Sequence, residues 1–240
     1  WSTAGTNWTD ATGSASAPYQ PDSTLIFQGA PGTVTVDSAG VSISKGMQFA
    51  ADGYIVTGGD ITLAGEAGFR VGDGTSAGAG YSAIVASNLT GTGSLEKTDY
   101  GTLTLSGANT YTGGTTVSEG VLVVDGSISD VTINGGTLGG SGTINGSATV
   151  TSGTISAGNS PGTLTIGGDL NLTSASVLDF ELGSPSGTAG VDSDLIAVGG
   201  DLTLDGSLNV TDAGGFDAGV YNLITYGGSL TDNGLVVGTA

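Results

Sequence analysis

The sequence contains no cysteine and no histidine. Their absence removes disulfides, thiolate nucleophiles, imidazole bases and every metal site built on sulfur or imidazole, so Ser-His-Asp and Cys-His mechanisms are excluded. A cysteine-free chain suits a polypeptide that crosses an oxidising envelope unfolded, where premature cross-links are a hazard. Basic residues are nearly missing as well. Lys45, Arg70 and Lys97 stand against 22 Asp and Glu, for a net charge of -19. A chain of that charge repels phosphate backbones and anionic lipid, and it lacks the clustered cations that release counterions from nucleic acid. Nucleic acid is therefore not an expected partner. The sequence has no apolar run of 18 or more residues, so no helix is expected to span a membrane. It opens on Trp1 rather than Met, which reads as a mature or trimmed fragment.

What the sequence has in excess is glycine, at 47 of 240 residues. Glycine at that level points toward low complexity and disorder, unless the remaining residues carry a pattern. They do: aliphatic residues alternate with Thr, Ser, Asn and Asp. Gly32-Thr33-Val34-Thr35-Val36, Gly101-Thr102-Leu103-Thr104-Leu105 and Gly162-Thr163-Leu164-Thr165-Ile166 are variants of one phrase. Gly59-Asp60-Ile61-Thr62-Leu63, Gly168-Asp169-Leu170-Asn171-Leu172 and Gly200-Asp201-Leu202-Thr203-Leu204 are variants of another. A period of two with apolar residues on one face predicts short, half-buried strands joined by glycine turns.

The strands repeat in tandem. Thr116-Val117 with Gly120 and Leu122 recurs as Thr132-Ile133 with Gly136 and Leu138, then as Thr149-Val150 with Gly153 and Ile155. A unit this short cannot bury its own apolar face and must stack on its neighbours. The spacing predicts an all-β, single-stranded, right-handed parallel β-helix in which Val117, Ile133 and Val150 form one column and Leu122, Leu138 and Ile155 a second. Gly120, Gly136 and Gly153 would mark one corner, where a left-handed or crowded backbone favours glycine. A hairpin sandwich also yields short alternating strands, but it does not predict the in-register repetition. At roughly 16–25 residues per turn, on the order of 10–14 turns of ~4.8 Å are expected, a rod of roughly 50–65 Å.

The chain divides into three stretches. Residues 1–30, with Trp1, Trp8, Pro18, Tyr19 and Pro21, read as an irregular cap over the first turn. Residues 31–175 read as the stalk. Residues 176–240, with the longer apolar phrases Ser176–Leu182 and Val220–Ile224, read as strands of the best-packed end.

Few residues carry candidate chemistry. Asp192 and Asp194 lie two apart and would share one face of a strand, where they are candidate paired carboxylates for a carbohydrate-active enzyme. With Asp201 or Asp205 they are also the candidate calcium site, through hard oxygen ligands. Neither aromatic platforms nor basic residues cluster around them, so the reading is non-enzymatic, without cofactor, and the acidic residues are expected on a solvated surface. Val71-Gly72-Asp73-Gly74-Thr75 reads as a turn. Gly113-Gly114-Thr115-Thr116 has no preceding Lys and is not a phosphate loop. Asn109, Asn134, Asn145 and Asn159 fall at glycine-rich corners. Tyr81, Tyr100 and Tyr111 are candidate surface aromatics for adhesion.

Residues 95–124 resemble the passenger-associated repeat of autotransporters. The likeness rests on Leu95-Glu96-Lys97-Thr98 and on the run Gly101–Thr115, with Gly107, Asn109, Tyr111, Gly113 and Gly114 in fixed order. It closes on Val117 and Gly120-Val121-Leu122. Thr98-Asp99-Tyr100 departs from the family, which usually has another glycine there. Asn159–Leu164 and Gly200–Val237 are similar to membrane-proximal passenger sequence, the last resembling the segment that folds first in the family. The resemblance implies a Gram-negative cell-surface protein, exported through and anchored by a C-terminal outer-membrane β-barrel. It further implies a passenger that acts as stalk, adhesin or autoaggregation module in virulence, with host or neighbouring-cell surfaces or its own copies as partners. A spacer for an effector on the N-terminal side is the alternative within that family.

Overall fold

A computed structural model describes residues 22–239 continuously, together with 1, 2, 8, 9, 16, 17 and 20. The expected cap therefore falls partly outside the described residues, Pro18, Tyr19, Pro21 and the Trp8 side chain among them.

From Leu25 onward the chain winds as a parallel β-helix with three faces. The first face stacks Leu25–Phe27, Gly46–Phe49, Glu66–Val71, Ser94–Thr98, Thr115–Val117 and the starts of Val131–Gly140 and Ala148–Ala157, then Leu170–Leu172 and the starts of Leu202–Asp212 and Leu230–Val237. The second face runs from Thr33–Val36 through Tyr54–Gly58, Ser82–Val85, Thr102–Leu105 and Val121–Val124 into the second halves of the same long strands, with Ser176–Leu182 between them. The third face holds Val41–Ile43, Ile61–Leu63 and Leu89–Gly91, then Ser127–Ile128, Thr143–Ile144, Thr163–Ile166, Leu195–Val198 and Ile224–Tyr226. A bridge from Ala108 to Ser127 joins its two parts.

The predicted columns exist. Val117 pairs with Ile133, Ile133 with Val150 and Val150 with Leu172. Leu103, Leu122, Leu138, Ile155, Leu178 and Leu208 run in register on the second face. Apart from Leu208 at the far end, these side chains are almost wholly shielded from solvent, in one continuous core. No single turn has a core of its own; each supplies the floor of the next. The coil makes nine turns between the first-face strands that begin at Leu25 and Leu230, a rod of ~43 Å at ~4.8 Å per turn. It is shorter than expected because three corners spend residues on excursions: 72–81, 183–194 and 213–223.

The repeated Gly-Asp phrase has a structural role that the solvated-surface reading overlooks. At the corner before the first face, the side chain of one turn accepts the amide of the next. Ser147 N donates to Asp130 Oδ1 at 2.8 Å and Asp169 N to Ser147 Oγ at 3.0 Å. Asp201 N donates to Asp169 Oδ1 at 2.8 Å and Ser229 N to Asp201 Oδ1 at 2.6 Å. Corner amides lie outside the strand ladders, and an Asp or Ser oxygen satisfies each of them. The glycine before the Asp or Ser is required sterically: a Cβ at Gly200 would overlap Asp169 Oδ1 and the Gly168 backbone, and one at Gly228 would overlap Asp201 Oδ1 and the Gly200 backbone. We predict that Gly200→Ala costs about 1–3 kcal/mol through this overlap, read as a lower urea midpoint. Asp169→Ala, which hands the exposed Asp201 amide to water, should cost about 0.5–1.5 kcal/mol.

The two ends differ. At the start, the Trp1 ring meets Phe27 edge-on at 6.2 Å, and the Trp1 carbonyl accepts the Asp37 amide at 2.7 Å. Phe27 in turn stacks on Phe49 at 5.1 Å. At the other end the expectation of tight packing holds for Ser176–Leu182, where inward and outward residues alternate strictly. It fails for Val220–Ile224. Only Ile224–Tyr226 is strand there, and Val220 is exposed, because it sits on the 213–223 excursion instead of over a neighbouring turn.

Candidate functional site

The densest polar chemistry lies inside the repeat 95–124. In Ser94–Thr98 the alternation turns Leu95 and Lys97 inward and Glu96 outward. Lys97 therefore stands in the apolar column itself, paired with Phe69 on one side and Val117 on the other, and is fully buried. Its ammonium is held by three carbonyls: Asp99 O at 2.7 Å, Thr98 O at 3.0 Å and Glu119 O at 3.1 Å. Burial pushes its pKa down from the ordinary lysine value to about 8, against the opposing pull of the Asp99 and Glu119 charges. Gly120, at φ 63°, makes room for this arrangement, since a Cβ there would lie 2.7 Å from Lys97 Nζ.

Asp99 accounts for the departure from the family pattern. Its φ is 67°, the left-handed conformation that a glycine would occupy and that Asp tolerates better than most residues. The side chain then serves the excursion of the preceding turn. Oδ2 accepts the Gly74 amide at 2.8 Å and pairs with Arg70 at 3.3 Å, while Oδ1 accepts the Tyr100 amide at 2.9 Å. Glu119 Oε2 accepts the Asp99 amide at 3.2 Å. Two of the three basic residues of the chain thus meet in one cluster.

The other repeat residues are placed as follows. Asn109 is buried, and its Oδ1 accepts the Leu89 amide of the preceding turn at 2.7 Å. Tyr111 is not a surface aromatic: it is 1% exposed and shares a hydrogen bond of 2.5 Å with the Thr115 hydroxyl. Burial pushes its phenol up to about 12, partly offset by that bond. Gly107 and Gly113 lie against the backbones of Ser87 and Gly93 of the preceding turn. Gly114 and Gly153 have φ of 79° and 101°. Gly136 does not; Gly135 beside it turns left-handed at 123°, and Gly136 is instead pressed against Val117 and Gly120.

The structure does not bring the candidate carboxylates together as expected. Asp192 lies in a turn and Asp194 just ahead of Leu195–Val198, so they share no strand face. Asp192 Oδ2 accepts the Thr188 amide at 2.7 Å. Asp194 accepts Gly162 N at 2.9 Å and Glu181 N at 2.7 Å, a clamp that ties the 158–162 turn to the second face. Burial raises its pKa while those amides lower it. Asp201 belongs to the corner ladder, and Asp205 accepts the amide of Gly206. Among the described residues no group of three or more His, Cys, Asp or Glu is placed to hold a metal. The carboxylates act as anchors for backbone amides because the chain leaves the regular coil at residue 183, which spacing alone does not show.

Outside the core, the excursions 183–194 and 213–223 lie on successive turns and form a lobe with a cleft of about 260 Å³ between them. Sequence reasoning missed both this lobe and the buried Lys97.

These features define a β-solenoid whose polar chemistry is spent internally, on locking one turn to the next. Residues 95–124 match the passenger-associated-transport-repeat family. Over 108 residues, 44% of this chain, the sequence is 50% identical to "Adhesin BmaC autotransporter" of Brucella suis biovar 1 (strain 1330), and the match spans 3% of that protein's length. In fold, repeat and relative the chain is similar to an autotransporter passenger segment. Passengers of this class lie at the cell surface, the full-length protein being anchored in the outer membrane.

Proposed function

We propose that this chain is a non-catalytic stalk of an adhesin passenger, which holds binding loops away from the outer membrane. The observation that supports it is the continuous parallel stacking of the first and second faces from the first turn to the last, which makes a stiff rod whose turns vary at the corners. The relative's name supports the adhesive role. The carboxylates that a carbohydrate-active enzyme would use are already bonded to backbone amides. The proposed partners are host or neighbouring-cell surfaces, or another copy of the protein. The outer-membrane barrel would be supplied by the full-length protein.

The test uses bacteria that display the full-length protein. Deleting residues 131–147 removes one turn in register, because Val131 pairs with Ala148. A stalk tolerates this, and attachment and autoaggregation should stay within about twofold. Deleting residues 22–239 should reduce both. Cleavage of any polysaccharide by the purified chain, abolished by Asp192→Asn or Asp194→Asn, would overturn the non-catalytic reading.

A further inference from the structure

The lobe at the C-terminal turns is built more firmly than a loop that merely closes a corner. Tyr221 OH donates to Gly183 O at 2.9 Å and accepts the Asp217 amide at 3.2 Å, so one side chain staples the two excursions together. Gly219 packs so closely on Pro185 that a Cβ there would overlap its ring. Within 183–194, Ser193 Oγ accepts the Gly183 amide at 3.0 Å and Asp192 holds Thr188. Within 213–223, Asp212 Oδ1 accepts the amides of Gly214 and Phe216 at 2.7 and 3.2 Å. Both excursions are thus fixed by their own hydrogen bonds, as compact surface loops of functional type often are.

On this rigid base stand groups that the fold does not need. Val220 is 91% exposed and Val191 66% exposed, and Phe216 stays 41% exposed while its ring lies 5.5 Å from that of Tyr221. Exposed apolar groups gathered on one lobe mark a contact surface. The cleft between the excursions is lined by Ser184, Pro185, Ser193, Val220, Tyr221 and Asn222, and among the described lining residues none is charged. The Asn222 amide is exposed and makes no hydrogen bond within the described residues, so it has donors and an acceptor to offer a ligand. The flanking Asp192, Asp212 and Asp217 are engaged with backbone amides, and their charge, within a net of -19, disfavours anions.

We propose that this lobe binds a neutral glycan, with one sugar ring seated in the cleft against the Tyr221 edge, its hydroxyls bonded to Asn222 and the lining serines, and the next ring resting on Phe216. The size agrees: about 260 Å³ lies below the ~300–1,000 Å³ of drug-sized sites and holds a single ring. The inference rests on the adhesin reading and names the chemistry of the surface that the passenger would grip.

The test presents the purified chain to immobilised neutral, sialylated and sulfated oligosaccharides, with Asn222→Ala and Phe216→Ala alongside. Both substitutions are at exposed positions, and circular dichroism confirms that the variants keep the β-fold. Binding to a neutral glycan, absent from the sialylated and sulfated ones and weakened at least tenfold in each variant, is the expected result. No neutral glycan bound, a preference for the anionic sugars, or binding unchanged in both variants overturns the site. Displaying the same variants in the full-length protein separates the two claims. Attachment that survives both substitutions rejects the cleft and leaves the adhesin reading standing, whereas attachment that also survives removal of 22–239 rejects both.

Discussion

Lys97→Ala should unfold at a markedly lower urea concentration than the parent, with a loss of about 3–5 kcal/mol. Two effects add. The substitution leaves a void in the column between Phe69 and Val117, and large-to-small core changes cost ~2–5 kcal/mol. It also strips the carbonyls of Thr98, Asp99 and Glu119 of their shared donor, at ~1–3 kcal/mol for a buried acceptor left unmade. Lys97→Met keeps the volume and removes the buried charge, and should fall between parent and alanine variant. The pH dependence is a sharper mark. The folded pKa of Lys97 is about 8, against ~10.4 for an unperturbed lysine. Between these values the folded lysine is neutral while the unfolded one still holds its proton, so stability rises with pH across the window, by up to about 3 kcal/mol. Tyr111 acts in the opposite sense. Its folded pKa is about 12, so from pH ~10 upward the unfolded phenol ionises first and stability falls. The urea midpoint should therefore climb from pH 8 to a maximum near 10 and then drop. Lys97→Met should abolish the climb, and Tyr111→Phe the drop.

Ile133→Asp should break the rod in two. Ile133 sits between Val117 and Val150 with no exposed surface, and a carboxylate there has neither water nor a cation. An uncompensated buried charge costs several kcal/mol, about 5 or more here. In a solenoid each turn touches only its neighbours, so the damage is local and cooperativity splits. The expected thermal profile has two transitions, one for the turns before Ile133 and one for those after it. Thr132→Asp, one residue away on the outer face, should change stability by less than about 0.5 kcal/mol and leave a single transition.

The contrast between Ile133 and Thr132 was visible in the sequence, because a period of two assigns each side chain to a face and a 16- or 17-residue repeat then aligns the faces. Lys97 was hidden by its identity: lysine is almost never fully buried. The signal was nonetheless present, since Lys97 precedes Val117 by one turn and alternates with Leu95. The corner ladder was hidden in another way. The Gly-Asp phrase was conspicuous, but its acidity suggested a solvated face, and only the stacking shows each carboxylate beneath the amide of the next turn. Asp192 and Asp194 were misread because a strand was assumed where the chain leaves the coil. Spacing describes neighbours on a regular element and says nothing of an excursion. Asp99 shows the reverse case. A single departure from the repeat marked a left-handed residue whose side chain anchors Arg70 and Gly74.

The most direct test of the stacked columns is a set of distances between spin labels, made straightforward by the lack of native cysteine. Thr116, Thr132, Thr149, Asn171, Thr203 and Thr231 follow one another in register on the outer side of the first face. With one label at Thr116, the second at Asn171, Thr203 or Thr231 should give backbone separations of ~14, ~19 and ~24 Å, equal steps of ~4.8 Å per turn. Sequence separations of very different length must yield that constant increment. Distances that scatter, or that fail to rise from Asn171 to Thr231, would contradict the coil and every role assigned to it.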